Sequence, residues 1–188
     1  MTAAPSADLA ALRNHLLTHS IRTGNFTLKS GRKSKWFIDS KQTVCRPGGM
    51  LLVADALLDM VPAEATAMGG VTMGADPVAF ITAGVAATRG RALKAFSVRK
   101  EVKEHGGGGR IAGALDGGDV VVVTEDTVSR GTTLLEAVVE VRRAGAEAVL
   151  AVAVVDRGGT AEALLAGEGV PFLALFGAPD LGFDFDGA

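Results

Sequence analysis

Short apolar runs alternate with helical patterns through the second half of the chain. The segments VVVV and AVLAVAVV have no polar residue at alternate positions, so we expect both faces of these strands to be covered, as in a parallel sheet with helices on each side. The predicted strands are 67–71, 92–98, 119–124, 146–155 and 172–175. The predicted helices are 75–88, 132–144 and 160–166, with Gly145 and Gly167 as stops. The pattern indicates an α/β domain.

The first forty residues follow a different pattern. Ser6 can cap a helix that runs to about Thr18, and the segments FTLK and KWFID flank a turn at 30–32, which predicts a β-hairpin. Apolar residues at helical spacing predict one more helix over 48–61. A small helix and hairpin region therefore precedes the main sheet.

Composition narrows the class of protein. The 188 residues are 48% hydrophobic, enough for one domain, 1–188, with a buried core. A net charge of −2 argues against a nucleic-acid binder, and the longest apolar run, 148–155, is too short to span a membrane. The single cysteine, Cys45, forms no internal disulfide, and we see no signal peptide, so a cytoplasmic location is expected.

The segment RKEVKEHGGGGR, residues 99–110, interrupts the regular pattern. Four consecutive glycines disfavour both helix and strand, since glycine inside an element costs roughly 0.5 to 1 kcal/mol relative to alanine. Positive charge precedes them at Arg99, Lys100, Lys103 and His105. We therefore expect a hinged, cationic lid over a phosphate, with a surface loop of no function as the alternative.

The strongest chemical signal is VVVVTEDTVSRGTT, residues 120–133. A buried strand ends in Glu125 and Asp126, which can accept hydrogen bonds from ribose hydroxyls or hold magnesium through water. Backbone N–H groups of the following turn and the start of the next helix can surround a phosphate, helped by the helix dipole. The hydroxyls available there are those of Thr127, Ser129, Thr132 and Thr133. The alternative is an ordinary turn in which Thr132 caps the helix.

Other phosphate motifs do not fit. No G-x-x-x-x-G-K-[ST] occurs, which disfavours a P-loop nucleotidase. The glycines at 106–109 do not open a helix within a βαβ unit, so they are not a dinucleotide fingerprint.

The segment TEDTVSRGTT after a hydrophobic strand resembles the signature of the type I phosphoribosyltransferases, which use 5-phosphoribosyl 1-diphosphate (PRPP). Three more segments, FTLKSGRKSKWFID, VRKEVKEHGGGGRIAG and VVDRGG, are similar in order and spacing to orotate phosphoribosyltransferases, from Phe26 to about Gly159. The resemblance implies an α/β fold with a parallel sheet flanked by helices. It also implies an N-terminal helix and hairpin hood (about 1–45), a core (about 65–177) and a mobile lid (about 99–110).

The same resemblance implies roles for individual residues. Glu125 and Asp126 would hold the ribose diol. Magnesium would be bound through PRPP and water, with Glu125 and Asp126 as candidate protein contacts. The 5′-phosphate would be surrounded by Thr127, Val128, Ser129, Arg130, Gly131, Thr132 and Thr133. The diphosphate would contact Arg99, Lys100, Lys103 and His105, and orotate would contact Lys29, Phe37, Ser129 and Arg157. Catalysis would use Lys103, His105 and Asp126, with the lid shared between the subunits of a homodimer.

The implied reaction is magnesium-dependent displacement of diphosphate by N1 of orotate, giving orotidine 5′-monophosphate. A purine phosphoribosyltransferase would keep the 120–133 segment but would not need Lys29 and Arg157 for a carboxylate. A non-catalytic PRPP-sensing regulator would be expected to lose the lid chemistry. Two positions depart from the family pattern: Met73 stands where many members have a lysine, and Arg130 where a small residue is common.

Overall fold

The structure, a computed structural model, describes residues 7–27, 31, 33–101 and 109–186. Its strands are β1 (Ile21–Thr27), β2 (Lys33–Ile38), β3 (Ala67–Val71), β4 (Lys94–Val98), β5 (Ile111–Gly113), β6 (Val120–Val128), β7 (Glu147–Asp156) and β8 (Phe172–Gly177). Its helices are α1 (Leu9–His19), α2 (Lys41–Val44), α3 (Pro47–Leu58), α4 (Ala75–Thr88), α5 (Thr132–Arg143) and α6 (Ala161–Ala166), followed by a 3-10 helix (Ala178–Leu181).

Six strands form the main sheet in the order β5-β4-β3-β6-β7-β8, and β1 and β2 form a separate antiparallel hairpin. All neighbouring pairs of the main sheet are parallel except β4 and β5. The predicted α/β fold with a small N-terminal hairpin is therefore confirmed.

Both faces of the sheet are buried, as the continuous apolar runs predict. Successive side chains of a strand point to opposite faces. Val122 accordingly packs in one hydrophobic cluster with α1, α3 and α4, while Val121 and Val123 pack in a second cluster with α5 and α6. The sheet is thus the middle layer between two apolar cores.

Several element boundaries differ from the sequence-based expectation. Helix α1 is capped by Asp8, whose side chain accepts a hydrogen bond from the Ala11 amide at 2.8 Å, whereas the expected cap, Ser6, lies outside the described residues. Strand β6 continues beyond the predicted 119–124 because Thr127 and Val128 pair with β7. Strand β1 also begins earlier than the predicted hairpin, at Ile21.

The stagger between β3 and β6 leaves the end of β6 without a β3 partner at the carboxyl edge of the sheet. Strand β3 pairs with β6 only as far as Gly69 opposite Val123, while β7 accompanies β6 to Val128. The last part of β6 therefore has a strand neighbour on one side only. Among the described residues, no helix is long and apolar enough to cross a membrane.

Candidate active site

Glu125 and Asp126 lie on the part of β6 that β3 leaves unpaired. Both carboxyl groups are buried, with 7% and 4% of the residue surface exposed. The sequence placed this pair at the carboxyl end of the strand, but in the structure β6 continues past it to Val128. Pairing of Thr127 and Val128 with β7 is the reason for this difference.

Asp126 receives hydrogen bonds from the end of the N-terminal region. Ser40 Oγ and Lys41 Nζ each donate to Asp126 Oδ2 at 2.7 Å, and Thr127 Oγ1 donates to Ser40 Oγ at 2.8 Å. Burial by itself would raise the pKa of Asp126, but the hydrogen bonds from Lys41 and Ser40 and the Lys41 charge outweigh it and lower that pKa. Asp126 is therefore an ionised carboxylate at neutral pH.

The pKa of Glu125 is shifted in the opposite direction. Burial, followed by the negative charge of Asp126, raises the pKa of Glu125 to about 8. Two adjacent carboxyl groups consequently carry one proton between them at pH 7. The pair can both donate and accept hydrogen bonds, which suits a diol.

Gly74, at the turn between β3 and α4, lies directly against the acidic pair. A Cβ atom at this position would be 1.8 Å from Glu125 Oε1 and 2.6 Å from Asp126 Oδ1. Only a residue without a side chain fits this approach. The turn thus forms one wall of the space around the two carboxyl groups.

The bend 129–133 follows the acidic pair and leads into α5. Gly131 is the N-cap with a φ of 84°, a conformation that favours glycine, and no side chain caps the helix. Thr132 is the first helical residue, so the alternative in which it caps the helix is wrong. None of the N–H groups of the bend donates a hydrogen bond to a residue that the structure describes. They can donate to an anion.

The side chains of residues 127–133 differ in their exposure to solvent. Val128 is 3% exposed and packs in the core, so any ligand contact from it comes from the backbone. Ser129, Arg130 and Thr132 are exposed, while Thr127 and Thr133 are half-buried. Arg130 is thus on the solvent side of the bend.

The turn after β3 has Met73 on its surface and one amide already occupied within the protein. Met73 is 63% exposed, and the Thr72 amide already donates to the Val98 carbonyl at 2.9 Å. Asp76 accepts hydrogen bonds at 2.6 Å from the hydroxyls of both Thr72 and Ser97. These contacts fix the turn against the ends of β3 and β4.

The two ends of the predicted lid are joined at its base. The Arg99 amide donates to the Arg110 carbonyl at 2.7 Å, and Arg99 Nη1 donates to the Ile111 carbonyl at 3.1 Å. Arg110 forms ion pairs with Glu136 and Glu140 of α5. Lys100 is exposed. Lys103 and His105, named with these residues, lie outside the described residues.

Arg157, just after β7, is the buried cation of the site. Its Nη2 donates to the Trp36 carbonyl at 3.2 Å and to Asp186, and its guanidinium lies 5.0 Å from the centre of the Trp36 ring. Phe37 is on the opposite, exposed face of β2, with its ring near that of Phe26. The structure therefore does not bring the Phe37 side chain to Arg157. Lys29 lies outside the described residues.

Four residues at this site were not identified from the sequence. Ser40 and Lys41 contact Asp126, Gly74 contacts Glu125, and Asp186 contacts Arg157. The available signal was weak: Lys41 is one of several basic residues in its segment, and Asp186 belongs to an acidic C-terminal stretch.

A parallel sheet whose central strand presents a buried acidic pair, followed by a bend of available amides, defines a phosphoribosyltransferase. The chain is 44% identical to orotate phosphoribosyltransferase of Streptomyces coelicolor, covering 86% of this chain and 90% of that protein. It is 38% identical to the enzyme of Corynebacterium glutamicum, covering 95% and 94%. The chain belongs to the orotate phosphoribosyltransferase family, a family of pentosyltransferase enzymes.

Solved structures agree with this assignment. The orotate phosphoribosyltransferase of Mycobacterium tuberculosis in complex with PRPP has a TM-score of 0.78 at 30% identity, covering 94% of this chain and 99% of that one. A phosphoribosyltransferase of Corynebacterium diphtheriae has a TM-score of 0.82 at 32% identity, covering 93% and 98%. No family model matches the chain.

Proposed function

We propose that this protein transfers the 5-phosphoribosyl group of PRPP to N1 of orotate, releasing diphosphate and forming orotidine 5′-monophosphate. The observation that carries the proposal is the buried Glu125–Asp126 pair beside a bend with available amides. The acidic pair would bind the diol of a sugar, and the amides of the bend would bind a monophosphate. The two ligand groups are joined in a ribose 5-phosphate.

The proposed roles follow from protonation and position. Asp126, ionised by its contacts with Lys41 and Ser40, accepts hydrogen bonds from the ribose hydroxyls, and protonated Glu125 both donates and accepts. The bend 129–133 binds the 5′-phosphate through its amides. The sugar is thereby oriented for attack at its anomeric carbon, and orientation is a large part of catalysis when the protein forms no covalent bond.

Orotate recognition is assigned to Arg157. The carboxylate of the base would pair with the guanidinium, which is a planar donor suited to carboxylates. Ser129 and Lys29 are proposed as further contacts. Because the Phe37 side chain lies on the other face of β2, any contact from Phe37 to the base would use its backbone.

Bond cleavage leaves negative charge on the diphosphate. We assign its stabilisation to Arg99, Lys100, Lys103 and His105 of the lid, which would also exclude water from the reacting sugar. Lys103 is our preferred group for assisting the leaving diphosphate by charge or proton donation. When the base attacks, the bond between N1 and the anomeric carbon forms as the bond between that carbon and the diphosphate oxygen breaks.

Magnesium is the proposed cofactor. Within the described residues, no group of three or more His, Cys, Asp or Glu side chains is positioned to hold a metal ion. The buried acidic pair fits the more usual arrangement for magnesium, in which substrate phosphates and water supply most ligands and one or two carboxylates supply the rest. Bound there, magnesium would neutralise charge on the diphosphate.

We also propose a homodimer in which the lid of one subunit reaches the site of the other. Exposed apolar side chains support an interface: Met73, just before α4, is 63% exposed, and Phe80, within α4, is 49% exposed. Sedimentation at micromolar concentration should give twice the mass of one chain. The cytoplasmic location stays a prediction.

The function is tested by mixing the protein with magnesium and PRPP and following the loss of orotate absorbance. Uracil and hypoxanthine, which have no carboxylate, serve as matched substrates. We expect consumption of orotate alone, and none after chelation of magnesium. Consumption of hypoxanthine but not orotate would show a purine enzyme, and no consumption of any base would favour a PRPP-binding regulator.

A further inference from the structure

The C-terminal segment 183–186 runs over the cluster around Arg157. The ring of Phe183 stacks on that of Trp36 with centroids 4.7 Å apart. The ring of Phe185 packs so closely on Gly159 that a Cβ there would be 2.9 Å from it. These two aromatic contacts hold the segment on either side of the Arg157 position.

Asp186 is placed by this segment directly at the guanidinium. Its carboxylate pairs with Arg157 Nη2, its amide donates to the Arg157 carbonyl at 3.1 Å, and Ser34 Oγ lies 3.1 and 3.2 Å from its two oxygens. The side chains of Arg157 and Asp186 are only 9% and 18% exposed. The pair is therefore largely shielded from water.

We propose that Asp186 is an internal competitor of the base, a carboxylate of the chain itself that occupies Arg157 until the carboxylate of the substrate replaces it. This inference rests on the proposed function, in which Arg157 receives the carboxylate of orotate. A buried guanidinium is costly without a counter-ion. Asp186 supplies that counter-ion in the free protein, and an anionic base can exchange with it without leaving the charge unpaired.

There is space for such an exchange on the Asp186 side of the pair. A cavity of about 340 Å³ lies between β2 and the C-terminal segment, and Ser34, Trp36 and Asp186 are part of its lining. Lys33, Lys35 and Asp184 line it as well, so side chains of both charges border the cavity. Displacement of Asp186 into this cavity would keep its carboxylate near Lys33 and Lys35.

Competition of this kind has a measurable signature. When a site is available only for the fraction of time that an internal group leaves it, the apparent dissociation constant rises by the inverse of that fraction. Removing the negative charge of Asp186 should therefore tighten the binding of the base. Binding of PRPP, which uses the acidic pair and the bend, should change much less.

The test is steady-state kinetics of Asp186→Asn and Asp186→Ala with orotate at saturating PRPP and magnesium. Asp184→Asn is the matched control, since Asp184 is exposed, carries the same charge and lines the same cavity, whereas the described contact with Arg157 is made by Asp186. We expect the KM for orotate to fall roughly threefold to tenfold in both Asp186 variants. The KM for PRPP should change less than twofold or so, and Asp184→Asn should match the wild type.

The outcomes separate the two proposals. An orotate KM that is unchanged or raised in both Asp186 variants, in a wild type that consumes orotate, overturns the competition and leaves the function intact. An equal fall in Asp184→Asn also overturns it, because the effect would then come from net charge. A wild type that does not consume orotate removes the proposed function, and this inference with it.

Discussion

Lys41 Nζ lies 2.7 Å from Asp126 Oδ2, so a residue of the N-terminal region completes the acidic site on the central strand of the sheet. The Lys41 side chain is 41% exposed, whereas that of Asp126 is only 6% exposed. Solvent can therefore reach the cation but not the anion. The contact makes the protonation of Asp126 depend on the position of the segment that follows β2.

Replacement of Lys41 by methionine should raise the pKa of Asp126, because the leading groups that lower it are Lys41 and Ser40. A carboxylate with a lowered pKa becomes protonated only at low pH. The acid limb of the pH profile of kcat/KM for PRPP should consequently move to higher pH in Lys41→Met. Lys41→Arg should restore the original profile.

Lys35→Met is the control for the loss of one positive charge. Lys35 is exposed on β2 and donates to Asn25 Oδ1 at 2.7 Å. Its replacement should leave the acid limb in place. Equal profiles for Lys41→Met and the wild type would mean that Lys41 does not govern Asp126.

The raised pKa of Glu125 predicts a stability that falls with pH. Native Glu125 keeps its proton up to a pKa of about 8, while the unfolded chain loses it near the ordinary value of 4.5. Between these values the native state binds more protons, so the free energy of unfolding decreases as pH rises, by at most about 1.4 kcal/mol per pH unit. Glu125→Gln should remove this slope in urea unfolding between pH 5 and 8.

An exposed carboxyl provides the comparison for this measurement. Glu147→Gln, at the start of β7, should keep the wild-type slope. Identical slopes for the wild type and Glu125→Gln would show that Glu125 is ionised throughout this range.

Two glycines near or within α4 should respond in opposite ways to alanine. At Gly74 the added Cβ would overlap Glu125 Oε1, and overpacking of this kind typically costs about 1–3 kcal/mol. At Gly84, inside the helix, nothing lies within 4 Å of the added atom, so alanine should stabilise by about 0.5–1 kcal/mol. Urea unfolding of both variants checks the contrast, and a stable Gly74→Ala protein would mean that the carboxyl group moves aside freely.

Lys103→Ala should lower turnover by about two orders of magnitude or more, if Lys103 assists the departing diphosphate as proposed. Stability should change little, because the residue belongs to a charged, glycine-rich segment. Steady-state turnover and urea unfolding, measured on the same preparation, distinguish the two effects. Near-normal turnover would assign the leaving-group role elsewhere.

The sheet and the acidic strand could be predicted because their signals are local. Continuous apolar runs identify β6 and β7 as buried on both faces, and helix α4 coincides with the predicted 75–88. The end of β6 was placed too early because its polar residues look like a loop in sequence. Their pairing with β7 depends on a neighbour that the segment itself does not reveal.

The contacts that set the chemistry could not be predicted in the same way. Lys41 and Asp126 are separated by 85 positions, and Gly74 meets Glu125 only because β3 and β6 are adjacent. Asp186 reaches Arg157 through a segment with no regular secondary structure. Long-range contacts of single polar side chains leave no periodic pattern in a sequence.

The early separation of β3 from β6 has a consequence for how the molecule divides its tasks. The backbone stagger after Val123 leaves the acidic pair of β6 without a β3 partner, while Trp36 of β2 and Asp186 of the C-terminal segment contact Arg157, the proposed base contact. The acidic pair thus lies on the main sheet, whereas two of the residues that contact Arg157 come from outside that sheet. Substitutions at Trp36 or Asp186 should therefore change the surroundings of Arg157 while leaving the acidic pair in place on β6.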